Sequence, residues 1–383
     1  MAAASALRQY SWTPQALRID WQDGRRGEFA SLWLRDNCAA DRDPVSGQRL
    51  VDIADLPAEP RLQSVSLADD ALLVAWEGEA RTATFALGWL AVQAAGRRER
   101  RPEYAIRHWL RGATLDPRRD FAFRSLVEFE RDPAARLEWL TRLVQDGIAF
   151  LSGVPCTERA ILAAAGTMGR VAETNYGLIF DVRSVARPEN LAYSDLGLGL
   201  HTDNPYRDPV PGFQALHVLI ASTEGGDSLF ADGFALAEHL RQTDPEVFGR
   251  LTRTPVPFLY RSRDAELYAE TPLIRLAADG RVQAVHYNSR SIAPLELPAG
   301  ELLAFYAAYR RFALLLRERD FQMTTKLGDG DLVVFDNQRT LHGRTGFSSA
   351  RLPRHLQGCY LTRDSVFSQV GLLRRQLSTE ARR

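Results

Sequence analysis

Apolar residues in this chain fall into many short strand-like runs, which turn residues and a few helical segments separate. Ala16–Trp21 alternates in polarity, Asp23-Gly24 is typical of a hairpin turn, and Leu72–Trp76 continues the pattern before Glu77-Gly78. Further runs of this kind are Phe29–Trp33, Gly147–Leu151, Phe213–Ile220, Ser228–Ala231, Leu332–Phe335 and His355–Leu361. Many short strands with intervening helices favour a β-sandwich or barrel decorated by helices over a doubly wound parallel sheet.

Helical spacing of apolar residues predicts four helices, over 125–145, 157–169 with Thr157 as the N-cap, 234–242 and 298–317. Residues 96–120 are dense in arginine and proline, which is typical of a solvated connector. We therefore predict a small β-rich domain at 1–95, a linker at 96–120 and a larger domain at 121–383.

Composition excludes several classes of function. The 48 basic and 48 acidic residues cancel, which argues against nucleic acid or an anionic membrane as the main partner. Lys326 is the single lysine, so a phosphate-binding Gly-Lys-Ser/Thr loop is absent and Schiff-base chemistry is effectively excluded.

Cysteine usage points to a reducing compartment. The three cysteines are widely separated and odd in number, which makes a disulfide framework improbable. The first residues do not show a secretion-signal pattern, and no run of about 18 apolar residues occurs. We expect a cytoplasmic globular protein.

The sharpest chemical signal is His201-Thr202-Asp203. In an extended segment the first and third side chains point to one face, so an imidazole and a carboxylate can bind one metal. A third ligand is expected from His342, where the apolar strand 332–335 ends in a turn. Two histidines and one carboxylate on one side of a metal are what a non-haem Fe(II) oxygenase requires.

Arg354 strengthens this interpretation. By the two-residue period of a strand, Arg354, Leu356, Gly358 and Tyr360 share one face. An inward-facing arginine is costly unless a carboxylate pairs with it. A dicarboxylate co-substrate could supply that group through a bidentate contact, and an internal salt bridge is the alternative.

These residues resemble the Fe(II)/2-oxoglutarate oxygenases of the taurine dioxygenase superfamily, and more closely the γ-butyrobetaine dioxygenase branch. Leu32–Cys38 is similar to the N-terminal domain of that branch, and Gly225–Ser228, Asp232–Phe234, Phe335–Asn337 and His355–Tyr360 are similar to its catalytic domain. The resemblance covers about residues 15 to 375. It implies a double-stranded β-helix (jelly-roll) catalytic domain behind a small β-rich domain, hence an α+β fold that is mainly β.

The resemblance also implies the co-substrates. 2-Oxoglutarate would chelate Fe(II), its far carboxylate would pair with Arg354 with help from Ser228, and O2 would complete the reaction. It implies a small-molecule substrate and a homodimer. A three-Cys, one-His zinc site is common in the N-terminal domain of the family, but only Cys38 matches it, because Ala40 and Asp43 occupy other ligand positions. We therefore expect no structural zinc.

Positions that build an aromatic cage for trimethylammonium in that branch here hold Tyr176, Phe180, Tyr193 and Tyr360. Phe180 replaces a tryptophan, which is a stronger cation-binding face. Tyr206, in Asn204-Pro205-Tyr206-Arg207, follows the metal pair in a segment that departs from the pattern of the branch. Core packing is the alternative role for each of these rings.

Asn190 and Asn288 resemble residues that bind the substrate carboxylate, and Arg290 adds a charge that suits a dianionic phosphonate. γ-Butyrobetaine and 2-(trimethylammonio)ethylphosphonate thus remain open as substrates. Three alternatives are a sulfonate or other small-acid oxygenase of the same superfamily, a zinc hydrolase with the same triad, and a non-catalytic jelly-roll binding protein.

Overall fold

The computed structural model describes residues 6–94, 104–183, 196–347 and 354–381. The chain divides into two compact units, Met1–Glu103 and Tyr104–Arg383. No helix within the described residues is long and apolar enough to cross a membrane.

The first unit contains two three-stranded antiparallel sheets. One has the order β1-β2-β3 and the other β4-β5-β6. Their elements are β1 Leu7–Thr13, β2 Ala16–Trp21, β3 Arg26–Ala30, α1 Ser31–Asp36, β4 Leu62–Ala68, β5 Ala71–Trp76, β6 Thr82–Ala86 and α2 Leu87–Ala94. The predicted hairpin is confirmed: Gly24 joins β2 to β3 with φ of +85°, a conformation that glycine adopts without steric cost.

The expected strand over Phe29–Trp33 is wrong in its second half. The chain turns into α1 at Ser31, and Ser31 and Leu34 are both buried, as one face of a helix requires. Trp33 then stacks on Trp89 of α2, with ring centroids 5.4 Å apart. Local alternation could not reveal this, because helix packing decided the outcome.

A buried ionic network lies in the same unit. Arg35 donates hydrogen bonds to Asp41 and to Glu79, the latter over 2.7 Å, and Arg81 lies 2.6 Å from Asp41. Cys38 is buried among the apolar core residues of this unit, as expected of a small apolar side chain.

The second unit contains the larger sheets. Its elements, in chain order, are α3 Pro117–Asp120, β7 Ala122–Ser125, α4 Leu126–Arg131, α5 Pro133–Asp146, β8 Ile148–Ser152, α6 Ala160–Gly166, β9 Val171–Ala172, β10 Phe180–Arg183, β11 Leu198–His201, β12 Phe213–Ile220, β13 Ser228–Asp232, α7 Gly233–Thr243, α8 Pro245–Arg253, β14 Val256–Arg261, β15 Glu266–Thr271, β16 Ile274–Leu276, β17 Val282–Val285, α9 Ala299–Leu315, β18 Met323–Thr325, β19 Leu332–Asp336, β20 Thr340–Arg344, β21 His355–Leu361 and α10 Arg363–Glu380.

Two sheets of this unit form the jelly-roll sandwich that was expected. The larger has the order β10-β21-β12-β19-β8-β7, with β9 paired to β21, and the smaller has the order β11-β20-β13-β18. Phe150, Phe335 and Leu356 of the larger sheet pack in one apolar cluster with Phe230 and Met323 of the smaller. The inner faces of the sheets therefore meet, as in a β-sandwich.

The other face of the larger sheet is covered by helices. Ala149, Ala215 and Val334 point to this side and pack with residues of α5, α6 and α10, such as Trp139 and Val370. Because side chains alternate along each strand, the residues between them point into the sandwich, where the site lies.

Two helix predictions need correction. The expected helix 125–145 is two helices, since Pro133 begins α5 and the Asp132 carboxylate accepts a hydrogen bond from the Ala134 N–H over 2.8 Å. Thr157 is not an N-cap, because α6 begins at Ala160 after Arg159. Arg159 has a left-handed conformation (φ +68°), and its N–H donates to the Gln357 side chain, a contact remote in sequence.

Part of the predicted linker is packed against the second unit. Trp109 is buried, its N–H donates to Asp232, and its indole N–H donates to the Asp146 carbonyl. Residues 96–103 of the predicted linker lie outside the described part of the chain.

Candidate active site

Two neighbouring strands bring the histidines together. His201 is the last residue of β11, and it is the register partner of His342 in β20. Their ring centroids are 4.3 Å apart. The expectation that His342 stands at the exit of the apolar strand is wrong in detail: β19 ends at Asp336, and His342 lies in the middle of the next strand. A hydrogen-bonded ladder, rather than a turn, therefore holds this imidazole.

Asp203 completes a compact group of three side chains. Its carboxylate oxygens lie 3.3 Å from His201 Nε2 and 3.9 Å from His342 Nε2. Candidate ligand atoms from the three residues all lie within 4.8 Å of one another. Ligands bound at about 2.1 Å and at right angles are about 3 Å apart, so small side-chain movements would bring the set onto one ion.

Local hydrogen bonds orient two of these groups. His201 Nδ1 is 2.9 Å from the Gly199 carbonyl, so Nδ1 carries the proton and Nε2 presents its lone pair toward the other two residues. The Asp203 N–H donates to Asn337 Oδ1 over 2.7 Å, and Asn337 Nδ2 donates back to the Asp203 carbonyl over 2.9 Å. Asn337 thus holds the backbone of the carboxylate-bearing loop.

Electrostatics favour the protonation states that bind metals. Burial, and then the neighbouring imidazole of His201, lowers the pKa of His342 to about 3. Burial alone would raise the pKa of Asp203, but His342 and His201 lower it well below its usual range. A neutral imidazole beside an ionised carboxylate is the ligand form that a divalent cation needs.

A cavity of about 450 Å³ opens beside this group. The expected site residues that line it are His201, Asp203, His342, Ser228, Arg354, Tyr176, Phe180, Tyr206, Asn288, Arg290 and Tyr360. Asn190 and Tyr193 lie outside the described residues. The sandwich therefore brings together, in one cavity, residues that are up to 184 positions apart in the sequence.

Arg354 enters the cavity wall immediately before β21. It is 6% exposed, and no carboxylate pairs with it within the described part of the chain. Its described neighbours include Arg344 and the ring of Phe347, whose centroid is 5.6 Å from the guanidinium carbon. Burial and the like charge of Arg344 lower the pKa of Arg354 to about 10. This cation has been desolvated without a described anion to balance it.

Aromatic rings form a continuous wall of the cavity. Phe180 lies against Tyr360 with centroids 5.1 Å apart, and Tyr176 contacts Phe180 edge-on at 6.5 Å. Tyr260 stacks on Tyr206 at 5.0 Å and contacts Tyr176 at 6.1 Å. We call these five residues the aromatic wall.

Sequence reasoning missed Tyr260 and its neighbour Arg261. Both come from β14, whose hairpin with β15 carries no metal or co-substrate motif. The sequence patterning predicted no strand over these residues, so it could not place either side chain at the cavity. Asn204, another cavity residue, was singled out only as a departure from a family pattern.

The polar end of the cavity contains Asn288 and Arg290. Asn288 Nδ2 donates to the Thr202 carbonyl over 3.1 Å, and its Oδ1 accepts from the Arg290 backbone N–H over 3.3 Å. Asn288 is therefore already committed to the loop between the metal-site residues. Burial lowers the pKa of Arg290, and the negative charge of Asp203 opposes that shift.

His355 lies on the opposite face of β21 from Arg354. Its Nε2 is 2.8 Å from Asp181 Oδ1, and Gln357 Nε2 donates to the same oxygen over 3.1 Å. This confirms that the two-residue period assigns alternate side chains of the strand to opposite faces.

Comparison with known proteins gives the family. A model described as taurine catabolism dioxygenase TauD, TfdA family, matches residues 115–360, and a model of the γ-butyrobetaine hydroxylase-like N-terminal domain matches residues 9–91. The chain therefore belongs to the TauD/TfdA family of Fe(II)/2-oxoglutarate-dependent dioxygenases. The reaction class expected from the metal motif is confirmed.

Individual relatives are similar over nearly the whole chain. A γ-butyrobetaine dioxygenase of Pseudomonas sp. (strain AK-1) is 36% identical over 363 residues, 93% of each chain. The γ-butyrobetaine dioxygenase of Homo sapiens is 27% identical over 94% of this chain and 95% of its own. The trimethyllysine dioxygenase of Bos taurus is 28% identical over 90% and 82%. Among solved structures, an asparagine oxygenase aligns with 61% of this chain and 81% of its own at 18% identity, with a TM-score of 0.49.

Proposed function

We propose that this dioxygenase hydroxylates an unactivated C–H bond of a small trimethylammonium zwitterion, either γ-butyrobetaine or 2-(trimethylammonio)ethylphosphonate. O2 and 2-oxoglutarate would be consumed, one oxygen atom would enter the substrate, and succinate and CO2 would be released. The observation that carries this proposal is the shared cavity. It contains the His-Asp-His group, the aromatic wall and the cationic side chains of Arg354 and Arg290.

His201, Asp203 and His342 would hold the Fe(II), and their donor set fits it, since two imidazoles and one carboxylate leave other coordination positions open. When bound, the iron supplies the oxidising chemistry that couples O2 reduction to decarboxylation of the co-substrate. The residues of the chain supply position: they hold the substrate C–H near the metal and keep bulk water away from it.

Arg354 would bind the far carboxylate of 2-oxoglutarate. Its guanidinium is desolvated and faces the cavity, and a carboxylate would balance it through two parallel hydrogen bonds. Ser228 lies on the same wall, in register with Arg344 of β20, where its hydroxyl could donate to the same group.

The aromatic wall would bind the trimethylammonium group. A quaternary ammonium has no N–H to donate, so ring faces supply the attraction, with each contact worth about 0.5–2 kcal/mol in a dry site. Phe180 is in edge contact with Tyr176 and in tilted contact with Tyr360, and all three residues line the cavity. Tyr193, outside the described residues, remains a predicted member of the cage.

Arg290 would face the anionic end of the substrate, with Asn288 beside it and Asn190 as a further predicted contact. A full guanidinium charge suits a dianionic phosphonate more than a monoanionic carboxylate. The relatives named γ-butyrobetaine dioxygenase favour the carboxylate. Both substrates therefore stay in the proposal. A sulfonate or other small-acid oxygenase is the second candidate. The family name supports this function, but it does not explain the five aromatic rings of the cavity.

A succinate-release assay tests the proposal directly. The purified protein, Fe(II) and 2-oxoglutarate would be incubated in air with γ-butyrobetaine, the trimethylammonium phosphonate, their tert-butyl isosteres and taurine. We expect succinate only with a quaternary ammonium substrate, and a neutral tert-butyl isostere should be a poor substrate because it loses the cation–π term. Equal turnover of the isosteres, or turnover of taurine alone, would contradict the proposal.

The role of Arg290 has its own comparison. Arg290→Ala should lower kcat/KM for the phosphonate by about 100-fold and by less for the carboxylate, because a dianion loses more from a removed charge-assisted contact. Arg261→Ala is the matched control, since Arg261 lines the same cavity but lies 2.9 Å from the Glu266 carboxylate. Equal losses on both substrates, or none, would show that Arg290 does not select the anion.

The cellular location, the oligomeric state and the domain bounds are also part of the proposal. We propose a cytoplasmic homodimer with domains at 1–95 and 121–383 and a linker at 96–120. Cys38, Cys156 and Cys359 are all free thiols, which suits a reducing compartment. Sedimentation equilibrium would test the dimer, and a monomeric mass across micromolar concentrations would contradict it.

A further inference from the structure

Four hydrogen bonds, two of them buried and two part-buried, connect the aromatic wall to the carboxylate of Asp203. Tyr360 Oη donates to Asp203 Oδ2 over 2.8 Å, and Asn204 Nδ2 donates to Tyr360 Oη over 3.2 Å. Tyr206 Oη donates to Asn204 Oδ1 over 2.6 Å, and Tyr206 and Tyr176 hydroxyls are 3.3 Å apart. We call this series the hydroxyl chain.

Donor counting gives the hydroxyl chain a single direction. A phenol has one proton to donate. Tyr206 gives its proton to Asn204, so Tyr176 must be the donor in the contact between the two tyrosines. Tyr360 gives its proton to Asp203, so its oxygen accepts from the Asn204 amide. Every donor therefore points toward the carboxylate, an arrangement in which neighbouring hydrogen bonds polarise one another.

The backbone at Asn204 supports a role beyond packing. Asn204 is buried and has φ of +52°, in the left-handed region that non-glycine residues seldom adopt. This conformation places the Asn204 amide between Tyr206, two residues further along, and Tyr360, which is remote in sequence. Backbone strain of this kind persists where the surrounding structure requires it, and such residues are concentrated at functional sites.

The phenols are neutral under working conditions. Burial raises the pKa of Tyr206 to about 12 and raises that of Tyr176 further above its ordinary value. Each hydroxyl therefore retains the proton that the hydroxyl chain uses.

We propose that Asn204 is a positioning residue, which through Tyr360 orients the Asp203 carboxylate for metal binding and ties that orientation to the aromatic wall. The inference rests on the metal group proposed above. Tyr360 then has two functions: its ring belongs to the wall, and its hydroxyl occupies one carboxylate oxygen, Oδ2, while Oδ1 lies nearest His201. Hydrogen-bonded partners of this kind typically change metal affinity by 10–100-fold when they are removed.

Metal affinity provides the test, with Co(II) as the probe in the full-length protein without oxygen. Asn204→Gly removes the amide while glycine accepts the left-handed backbone, and Tyr360→Phe removes the hydroxyl that contacts Asp203. We expect each variant to raise the Co(II) dissociation constant about 10-fold and to alter the visible absorption bands of the bound ion. The control is Tyr309→Phe, which removes a hydroxyl from a half-buried tyrosine that stacks on Phe305 and does not line the cavity, and it should leave the dissociation constant unchanged.

The double variant separates a connected series from two independent effects. If Asn204 acts through Tyr360, the Asn204→Gly/Tyr360→Phe protein should bind Co(II) no more weakly than Tyr360→Phe alone. Multiplied effects, or an unchanged constant in Asn204→Gly, would overturn the proposal. If the glycine variant does not fold, Tyr206→Phe replaces it. We expect this variant to weaken Co(II) binding less than Asn204→Gly would, and its effect must again be non-additive with that of Tyr360→Phe. If the wild-type protein binds no Co(II), the proposed metal group itself is refuted. If all variants bind Co(II) as tightly as the wild type, only the positioning role of Asn204 is refuted.

Discussion

Arg354 offers a prediction in which stability and binding change in opposite directions. Its pKa falls from its ordinary value to about 10, and one pKa unit corresponds to about 1.4 kcal/mol. Holding the cation in the fold therefore costs about 3 kcal/mol. Because the folded pKa is the lower one, this cost is fully present at every pH below about 10 and decreases as the pH rises above that value.

Arg354→Met removes the charge and keeps much of the unbranched stem. We expect the ligand-free variant to be more stable than the wild type by about 1 to 3 kcal/mol, since burial of an unpaired cation is relieved. Binding of 2-oxoglutarate should weaken by at least about 100-fold, because two charge-assisted hydrogen bonds are worth about 1.5–3 kcal/mol each and about 1.4 kcal/mol is a factor of ten.

Thermal unfolding with and without 2-oxoglutarate, in the presence of Mn(II) and under nitrogen, measures both effects. Saturating 2-oxoglutarate should raise the Tm of the wild type and leave that of the variant unchanged at the same concentration. Arg261→Met is the control, because Arg261 is exposed and paired with Glu266, and it should respond as the wild type does. A ligand-free Arg354→Met protein that is less stable, and that still binds 2-oxoglutarate, would refute the reasoning and favour a structural role.

Three further predictions follow from other parts of the fold. Burial lowers the pKa of His286 to about 3, below its unfolded value of about 6.5, so the stability that the neutral imidazole provides is complete above pH 6.5 and is lost as the pH falls. Between pH 7 and 5 the free energy of unfolding of the wild type, measured in urea, should fall by about 2 kcal/mol more than that of His286→Leu. The same pH dependence in both proteins would contradict this. Gly358→Ala would place a methyl group against the ring of Phe180 and displace that ring. The KM for a trimethylammonium substrate should then rise about 10-fold. An unchanged KM would show that Phe180 is not part of the cage. Asp41→Asn should destabilise the protein by about 3 kcal/mol because buried Arg35 loses a partner, and an unchanged urea midpoint would show that the network contributes little.

The catalytic strands were predictable because their signals are local. The two-residue period put Arg354 and Tyr360 on one face and His355 on the other, and the structure has this arrangement. Hairpins and buried strands were likewise visible in Asp23-Gly24 and in the apolar run that became β19. In each case the residues that decide the structure are adjacent in the chain.

Errors arose where remote contacts outweighed local preference. Trp33 entered a helix that packs its ring on Trp89, and the N-terminal turn of α6 was fixed by Gln357 rather than by Thr157. His342 belongs to the strand after the turn, where pairing with His201 holds it. Propensity and spacing contain no information about partners that are remote in the sequence.

The sequence alone determined which chemical groups are present: two imidazoles and a carboxylate, an arginine on a strand face, and several aromatic residues. The tertiary structure decided which of them meet. Tyr260 reached the cavity from a hairpin without a motif, and Tyr360 met Asp203 across 157 positions of sequence. Hydrogen bonds and ring contacts act over a few ångströms, so only a fold that closes such long loops can create them.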